Sequence, residues 1–288
     1  MSLIAAVINP VKFDPDELRR AISDRAGAEV RYLLTTEQDP GAGQARQAVA
    51  DGAKLLLVCG GDGTVAACAG ALAGTGVAMA VLPDGTGNLL ARNLGIPLEL
   101  PDALEVAFAG SDRQLDVLAT GDLRFLVMAG LGFDAMLIRH TDERLKQRIG
   151  WLAYLAGFVR AVKRHRRVRY EIRVDDQPPL RRRAIGVLVG NVGQLEAGIT
   201  LLPDAAPDDG KLDVIVLAPR TALDWPVLAG RILSKSADRK ADVLSGRRVR
   251  ITAARPVPFE FDGDYVDERT ELDVTVLPGA LLMRCPPR

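Results

Sequence analysis

The residues best suited to chemistry lie in two glycine-rich stretches. The first, Gly60-Gly61-Asp62-Gly63-Thr64, is entered from the apolar run Leu55–Cys59 and left through the small-residue segment Val65–Ala69. The second, Pro83-Asp84-Gly85-Thr86-Gly87-Asn88, follows apolar Val77–Leu82 and continues as Leu89-Leu90-Ala91-Arg92. A buried strand, a glycine turn and a helix, in that order, bring backbone N–H groups close to an anion. The helix N-terminus adds a partial positive charge that favours phosphate. Neither stretch has Walker A spacing or a clean G-x-G-x-x-G. Asp62 is unusual in a phosphate cradle, because a bare carboxylate repels phosphate. It requires a metal ion, a proton to accept, or donors that hold it; a tight turn whose aspartate caps a helix is one such arrangement.

Strands and helices must position these turns. Leu3–Ile8, Ala28–Leu34, Lys54–Cys59 and Val77–Leu82 read as buried strands. They alternate with helical segments opening at Asp14-Pro15-Asp16-Glu17, at Gly43–Gly52 and at Val65–Leu72, which implies a parallel sheet covered on both faces. Two glycine turns at the carboxyl ends of neighbouring parallel strands face one crevice, the place where open α/β sheets bind ligands. From about Gln114 the pattern changes. Phe125–Met128, Val168–Val174, Ala184–Val189, Leu212–Leu217, Val249–Thr252, Val257–Phe261 and Leu272–Leu277 read as strands separated by turn signals. Two sizeable helices interrupt them, near Asp142–Lys163 and Ala222–Ser234. The expected fold is an α/β N-terminal domain, residues 1–113 plus about 279–288, and a β-rich antiparallel sandwich over 114–278.

Composition narrows the function classes. The 288 residues carry 37 Lys/Arg and 37 Asp/Glu, so the balance is not that of a nucleic-acid binder. The neutrality is uneven: residues 1–110 hold 8 basic against 13 acidic groups, and residues 111–288 hold 29 against 24. Cys59, Cys68 and Cys285 have no paired spacing, and with His140 and His165 as the only histidines a His-rich metal centre is not expected. The opening MSLIAAVINP reads as no signal peptide and no apolar stretch reaches spanning length, so a cytoplasmic protein is expected.

The two glycine stretches, with Leu89–Pro97, Ala129-Gly130-Leu131-Gly132-Phe133-Asp134, Gly190-Asn191, Pro203–Asp213 and Phe261-Asp262-Gly263-Asp264, resemble the diacylglycerol kinase catalytic domain family. That superfamily includes bacterial soluble lipid kinases and the sphingosine and ceramide kinases, and its fold is shared with NAD kinases. The resemblance covers nearly the whole chain and implies an ATP-dependent lipid kinase acting on diacylglycerol or a related lipid. It implies that Gly60, Gly61, Asp62, Gly63, Thr64, Val65 and Ala66 wrap the ATP phosphates, with Gly85, Thr86 and Asn88 near the nucleotide. Thr36, or in second place Thr35, also reaches it. Asp62 helps organise Mg²⁺ and the transferring phosphate. The proton acceptor is the acid closing an Asp-Gly-Glu turn, here Asp264 of Asp262-Gly263-Asp264, with aspartate in place of glutamate; Asp62 is the fallback. A structural Mg²⁺ takes the Asp209 carboxylate and the carbonyls of Ala206 and Lys211.

Two other readings stay open. An NAD kinase-like enzyme shares the Gly-Gly-Asp-Gly turn, although the second loop continues as in lipid kinases and the chain has no Asn-Glu dipeptide. A non-catalytic nucleotide- or lipid-binding protein of the same fold is kept alive by Asp264. The run Arg160, Lys163, Arg164, Arg166, Arg167, Arg169, with Arg181-Arg182-Arg183, suits either peripheral contact with an anionic membrane or a solvated strand face. Trp151–Arg160 has the spacing of a core-packing helix, and a homodimer is left open.

Overall fold

The computed structural model describes residues 3–132, 167–194, 200–218, 243–262 and 264–287. The expected helices near Asp142–Lys163 and Ala222–Ser234, the Trp151–Arg160 stretch, both histidines and Gly263 lie outside the described residues. The chain divides into two compact units. Unit 1 comprises Met1–Leu126, Pro207–Gly210 and Leu277–Arg288, and unit 2 comprises Val127–Ala206 and Lys211–Val276.

Unit 1 is built on β1 (Ile4–Ile8), β2 (Val30–Leu34), β3 (Leu55–Gly60) and β4 (Ala78–Pro83), joined by α1 (Pro15–Ala26), α2 (Ala42–Ala50) and α3 (Asp62–Leu72). The strands pair in parallel in the order β4-β3-β1-β2. The final segment of β14 (Asp264–Cys285) adds beside β4, with Leu282 opposite Ala78. Every residue of β1, β3 and β4 is buried, because helices cover both faces and no alternation with polar residues is needed. On one face Ile4, Ile8, Leu57, Ala80 and Leu82 pack with Leu18 and Ile22 of α1 and with Leu104 of α5 (Leu100–Ala109). The predicted start of α1 is present: the Asp14 carboxylate accepts from the Asp16 N–H at 2.9 Å, Pro15 opens the helix, and Gly27 closes it at φ 53°.

The chain passes into unit 2 at Leu126–Val127. β5 (Ser111–Thr120) and β6 (Leu123–Phe125) form an antiparallel pair that belongs to unit 1.

Unit 2 is antiparallel. β7 (Met128–Leu131), β10 (Gly186–Gly190), β11 (Leu212–Leu217) and β12 (Val243–Gly246) pair in that order, and β13 (Arg248–Phe261) pairs with β7 on the other side. A hairpin of β8 (Val168–Val174) and β9 (Leu180–Ala184) is attached to the first half of β13. A register shift between Thr252 and Val257 separates the part of β13 that meets β8 from the part that meets β7. One strand thereby serves two regions of the sheet, as bulges allow. The expected strands Val249–Thr252 and Val257–Phe261 are one, because the bulge absorbs Pro256 and Pro258 without ending it.

Candidate active site

The parallel registers set Ile8, Leu34, Cys59 and Leu82 side by side, so the loops after β1, β2, β3 and β4 emerge at one edge of the unit 1 sheet. Both glycine loops belong to that edge. At Gly60 a methyl group would lie 2.9 Å from Thr64 Cβ, and at Gly85 it would lie 2.8 Å from Asn88 Oδ1 and 3.0 Å from Gly61 Cα. Neither glycine is in the left-handed region, so what glycine provides is room rather than an unusual turn, for the Thr64 side chain at Gly60 and for the backbone of the other loop at Gly85.

Side chains then lock the loops together. The Asp62 carboxylate accepts from the Asn88 N–H at 2.9 Å and from the Leu89 N–H at 2.7 Å, at the start of α4 (Leu89–Leu94). Asn88, with φ 47°, accepts from the Gly85 N–H at 2.7 Å and donates its amide to the Gly85 carbonyl at 2.8 Å. Arg92 Nε donates to the Gly87 carbonyl at 2.9 Å. The carboxylate that looked misplaced beside a phosphate cradle is held by donors of the neighbouring loop. α3, by contrast, has no side-chain cap at Gly61, and the start of this 11-residue helix carries the partial positive charge that favours an anion. Thr64 and Val65 are buried, and the Val65 N–H donates to the Gly61 carbonyl at 3.1 Å, while Gly63 and Thr86 are exposed.

At the end of β2, Thr36 is exposed and Thr35 buried, which favours Thr36 as the one that meets a ligand. Its Oγ1 accepts from the Asp39 N–H at 3.0 Å. The Asp39 carboxylate accepts from the Gly43 N–H at 3.0 Å and the Gly41 N–H at 3.2 Å. The Gly43 bond is the main reason its pKa lies below the usual carboxylate value. Cys59 and Cys68 are buried, and burial pushes both thiols up, as expected of inert core cysteines.

Sequence reasoning missed Asp116. This carboxylate, 2% exposed in an otherwise apolar stretch of β5, accepts from the Gly210 N–H at 2.6 Å and the Gly279 N–H at 2.8 Å. Its own N–H donates to the Pro207 carbonyl at 2.7 Å, and Arg113 pairs with Asp208 at 2.8 Å. Segment 207–210, which contains Asp209, is thereby fastened to unit 1. The visible signal was a lone acid inside Leu115–Ala119. In unit 2, Asp262 is buried at φ 46° and accepts from the N–H groups of Val127 at 3.1 Å and Met128 at 3.0 Å. It fixes the turn leading to Asp264, which opens β14 opposite Phe261; the Asp264 side chain lies outside the described atoms.

Residues 14–120 match the diacylglycerol kinase catalytic domain, and residues 127–285 match the YegS C-terminal NAD kinase beta sandwich-like domain. The chain belongs to the YegS-like lipid kinase family. A Pseudomonas aeruginosa protein named "Probable lipid kinase YegS-like" is 34% identical, over 94% of this chain and 90% of its own. An uncharacterised Synechocystis protein, sll0036, is 26% identical over 83% of this chain, which spans 57% of that longer protein. The crystal structure of a diacylglycerol kinase from Bacillus anthracis has the same fold, with TM-score 0.79, 23% identity and coverage of 99% of this chain and 97% of its own.

Within this YegS-like chain, Thr36, Gly60–Ala66 and Gly85–Asn88 sit at one sheet edge of unit 1. Asp209 belongs to unit 1, and Ala206 and Lys211, which flank its segment, to unit 2. Among the described residues no three His, Cys, Asp or Glu side chains cluster as a metal site. The expected Mg²⁺ set is of another kind, one carboxylate with backbone carbonyls. An exposed Asp209 in a segment held by Asp116 offers oxygen donors of the hardness that Mg²⁺ takes. No helix among the described residues is long and apolar enough to cross a membrane.

Proposed function

We propose that this protein transfers the γ-phosphoryl group of ATP to a hydroxyl of diacylglycerol or a related lipid. The observation that carries the reading is the pair of interlocked glycine loops beside the uncapped start of α3. Phosphoryl transfer demands positioning and charge neutralisation more than covalent chemistry. The turn and first helical residues over Gly60–Ala66 wrap the phosphates, through the N–H groups that precede Val65, whose own N–H donates to the Gly61 carbonyl, and Thr36 and Thr86 lie beside the nucleotide. The lipid oxygen bonds to the γ-phosphorus as the bond to ADP breaks, and its proton passes to the Asp264 carboxylate. Asp62, whose two oxygens accept from the N–H groups of Asn88 and Leu89, acts by setting the loops in place. Mg²⁺, when bound, neutralises phosphate charge; Asp209 with the Ala206 and Lys211 carbonyls would hold a structural ion. The test is transfer from labelled ATP across a panel of lipids and NAD. Label in a lipid is the expected outcome. Label in NAD alone would make the protein an NAD kinase, and ATP binding with no transfer would make it a sensor.

A further inference from the structure

The β8–β9 hairpin and the adjoining half of β13 carry an unusual concentration of arginine. Along β8 the burial alternates, with Val168, Tyr170, Ile172 and Val174 inside and Arg169, Glu171 and Arg173 outside. Register carries the outer row across the sheet: Arg169 faces Arg183, Glu171 faces Arg181, Arg173 faces Arg250, and Arg250 faces Asp273. Arg173 and Arg181 share one carboxylate, bonding to Glu171 at 2.7 and 2.8 Å. Arg248 and Arg250 share another, Asp273, at 2.7 and 2.8 Å. Each shared carboxylate leaves one positive charge uncompensated. Arg169 and Arg183 form a like-charge cross-strand pair with no carboxylate partner among the described residues, an arrangement that weakens a hairpin by itself. Glu271, opposite Thr252, is the one further acid in this outward row, so six arginines stand against three carboxylates.

Folding does not call for this. The half-exposed guanidiniums of Arg173, Arg248 and Arg250, at 57%, 58% and 56%, add little stability through screened pairs. Charge on β9 protects an edge strand from pairing with other chains, but that purpose needs no arginine opposite arginine on β8. We infer that this outward face docks on the anionic surface of a phospholipid bilayer. Guanidinium offers forked donors matched to phosphate, and each basic side chain at such a surface contributes attraction that salt screens. The choice of a bilayer over another polyanion rests on the lipid-kinase reading, because a substrate with acyl chains resides in a membrane.

The experiment is flotation of the full chain with vesicles of phosphatidylcholine alone or with 30 mol% phosphatidylglycerol (roughly the charge density at which surface potential matters), at low and high salt. The wild type is expected to float with the anionic vesicles at low salt alone. The Arg169→Glu/Arg183→Glu variant, which spares every ion pair described above, is expected to bind at least roughly tenfold more weakly, with unchanged thermal stability. Lipid phosphorylation by that variant should fall on vesicles and persist in detergent micelles. Wild-type flotation that ignores phosphatidylglycerol, or a variant that floats as well as the wild type, overturns the inference. So does tighter binding to a DNA duplex than to vesicles at equal salt. Loss of activity by both proteins in micelles would count against the kinase reading while leaving the docking result to stand.

Discussion

Replacing Asp62 by asparagine separates two roles for one carboxylate. In the structure its oxygens accept from the N–H groups of Asn88 and Leu89 at 2.9 and 2.7 Å. Asparagine keeps one acceptor and turns an N–H toward the other donor. One hydrogen bond to a charged group, worth about 1.5–3 kcal/mol, is lost and the second is weakened, so about 2–3 kcal/mol of local stability disappears. Thermal unfolding followed by circular dichroism should drop by roughly 5–10 °C. Turnover measured well below that transition should fall by about two decades or more, since the second glycine loop loses its anchor. The residual activity should retain the acid limb of its pH–rate profile, because a positioning residue leaves the proton acceptor in place. A variant that melts with the wild type and turns over normally would refute the reasoning. One that melts normally yet loses the acid limb would make Asp62 the base.

Four further outcomes are expected. Asp264→Asn should lower kcat by about 10²–10⁴-fold with little change in KM for ATP, in steady-state assays; a loss under tenfold would move the base elsewhere. Gly85→Ala should destabilise by about 1–3 kcal/mol in denaturant melts, because its methyl meets Gly61 Cα at 3.0 Å, whereas Gly63→Ala, with nothing within 4 Å, should keep or gain stability while raising KM for ATP. Asp116→Ala strands the N–H groups of Gly210 and Gly279 and should cost about 2–4 kcal/mol in the same melts. Asp39 has a folded pKa below its unfolded value, so its contribution is complete above the ordinary carboxylate range and drains as pH falls through the folded value. The wild-type advantage over Asp39→Asn in thermal melts should therefore be full at about pH 6 and shrink toward about pH 3.

The α/β half of the fold was legible because its signals are local. Apolar runs, the Asp14-Pro15 cap and the glycine turns each act within a few residues, and β1, β3, β4 and α1 follow them. The family resemblance rested on the same residues. What the sequence concealed depends on partners distant along the chain. The donors that make sense of Asp62 lie 26 and 27 residues away, those of Asp262 lie 134 and 135 away, and Gly279 is 163 from Asp116. The glycines at 60 and 85 suggested bends, yet their reason is what stands opposite them. β14 runs for 22 residues where Leu272–Leu277 alone looked like a strand, since its remaining pairing is imposed by β13 and β4.

The route of the backbone has a practical corollary. The polypeptide passes between its two units at four points, after residues 126, 206, 210 and 276. A truncated product ending at Leu126 would lack Leu277–Cys285, the piece that lies beside β4. β4 is apolar throughout, and its uncovered margin would invite intermolecular strand addition and inclusion bodies. Dissection by simple truncation is therefore a poor strategy. A soluble α/β half would have to be spliced, with the carboxyl-terminal segment fused back through a designed linker.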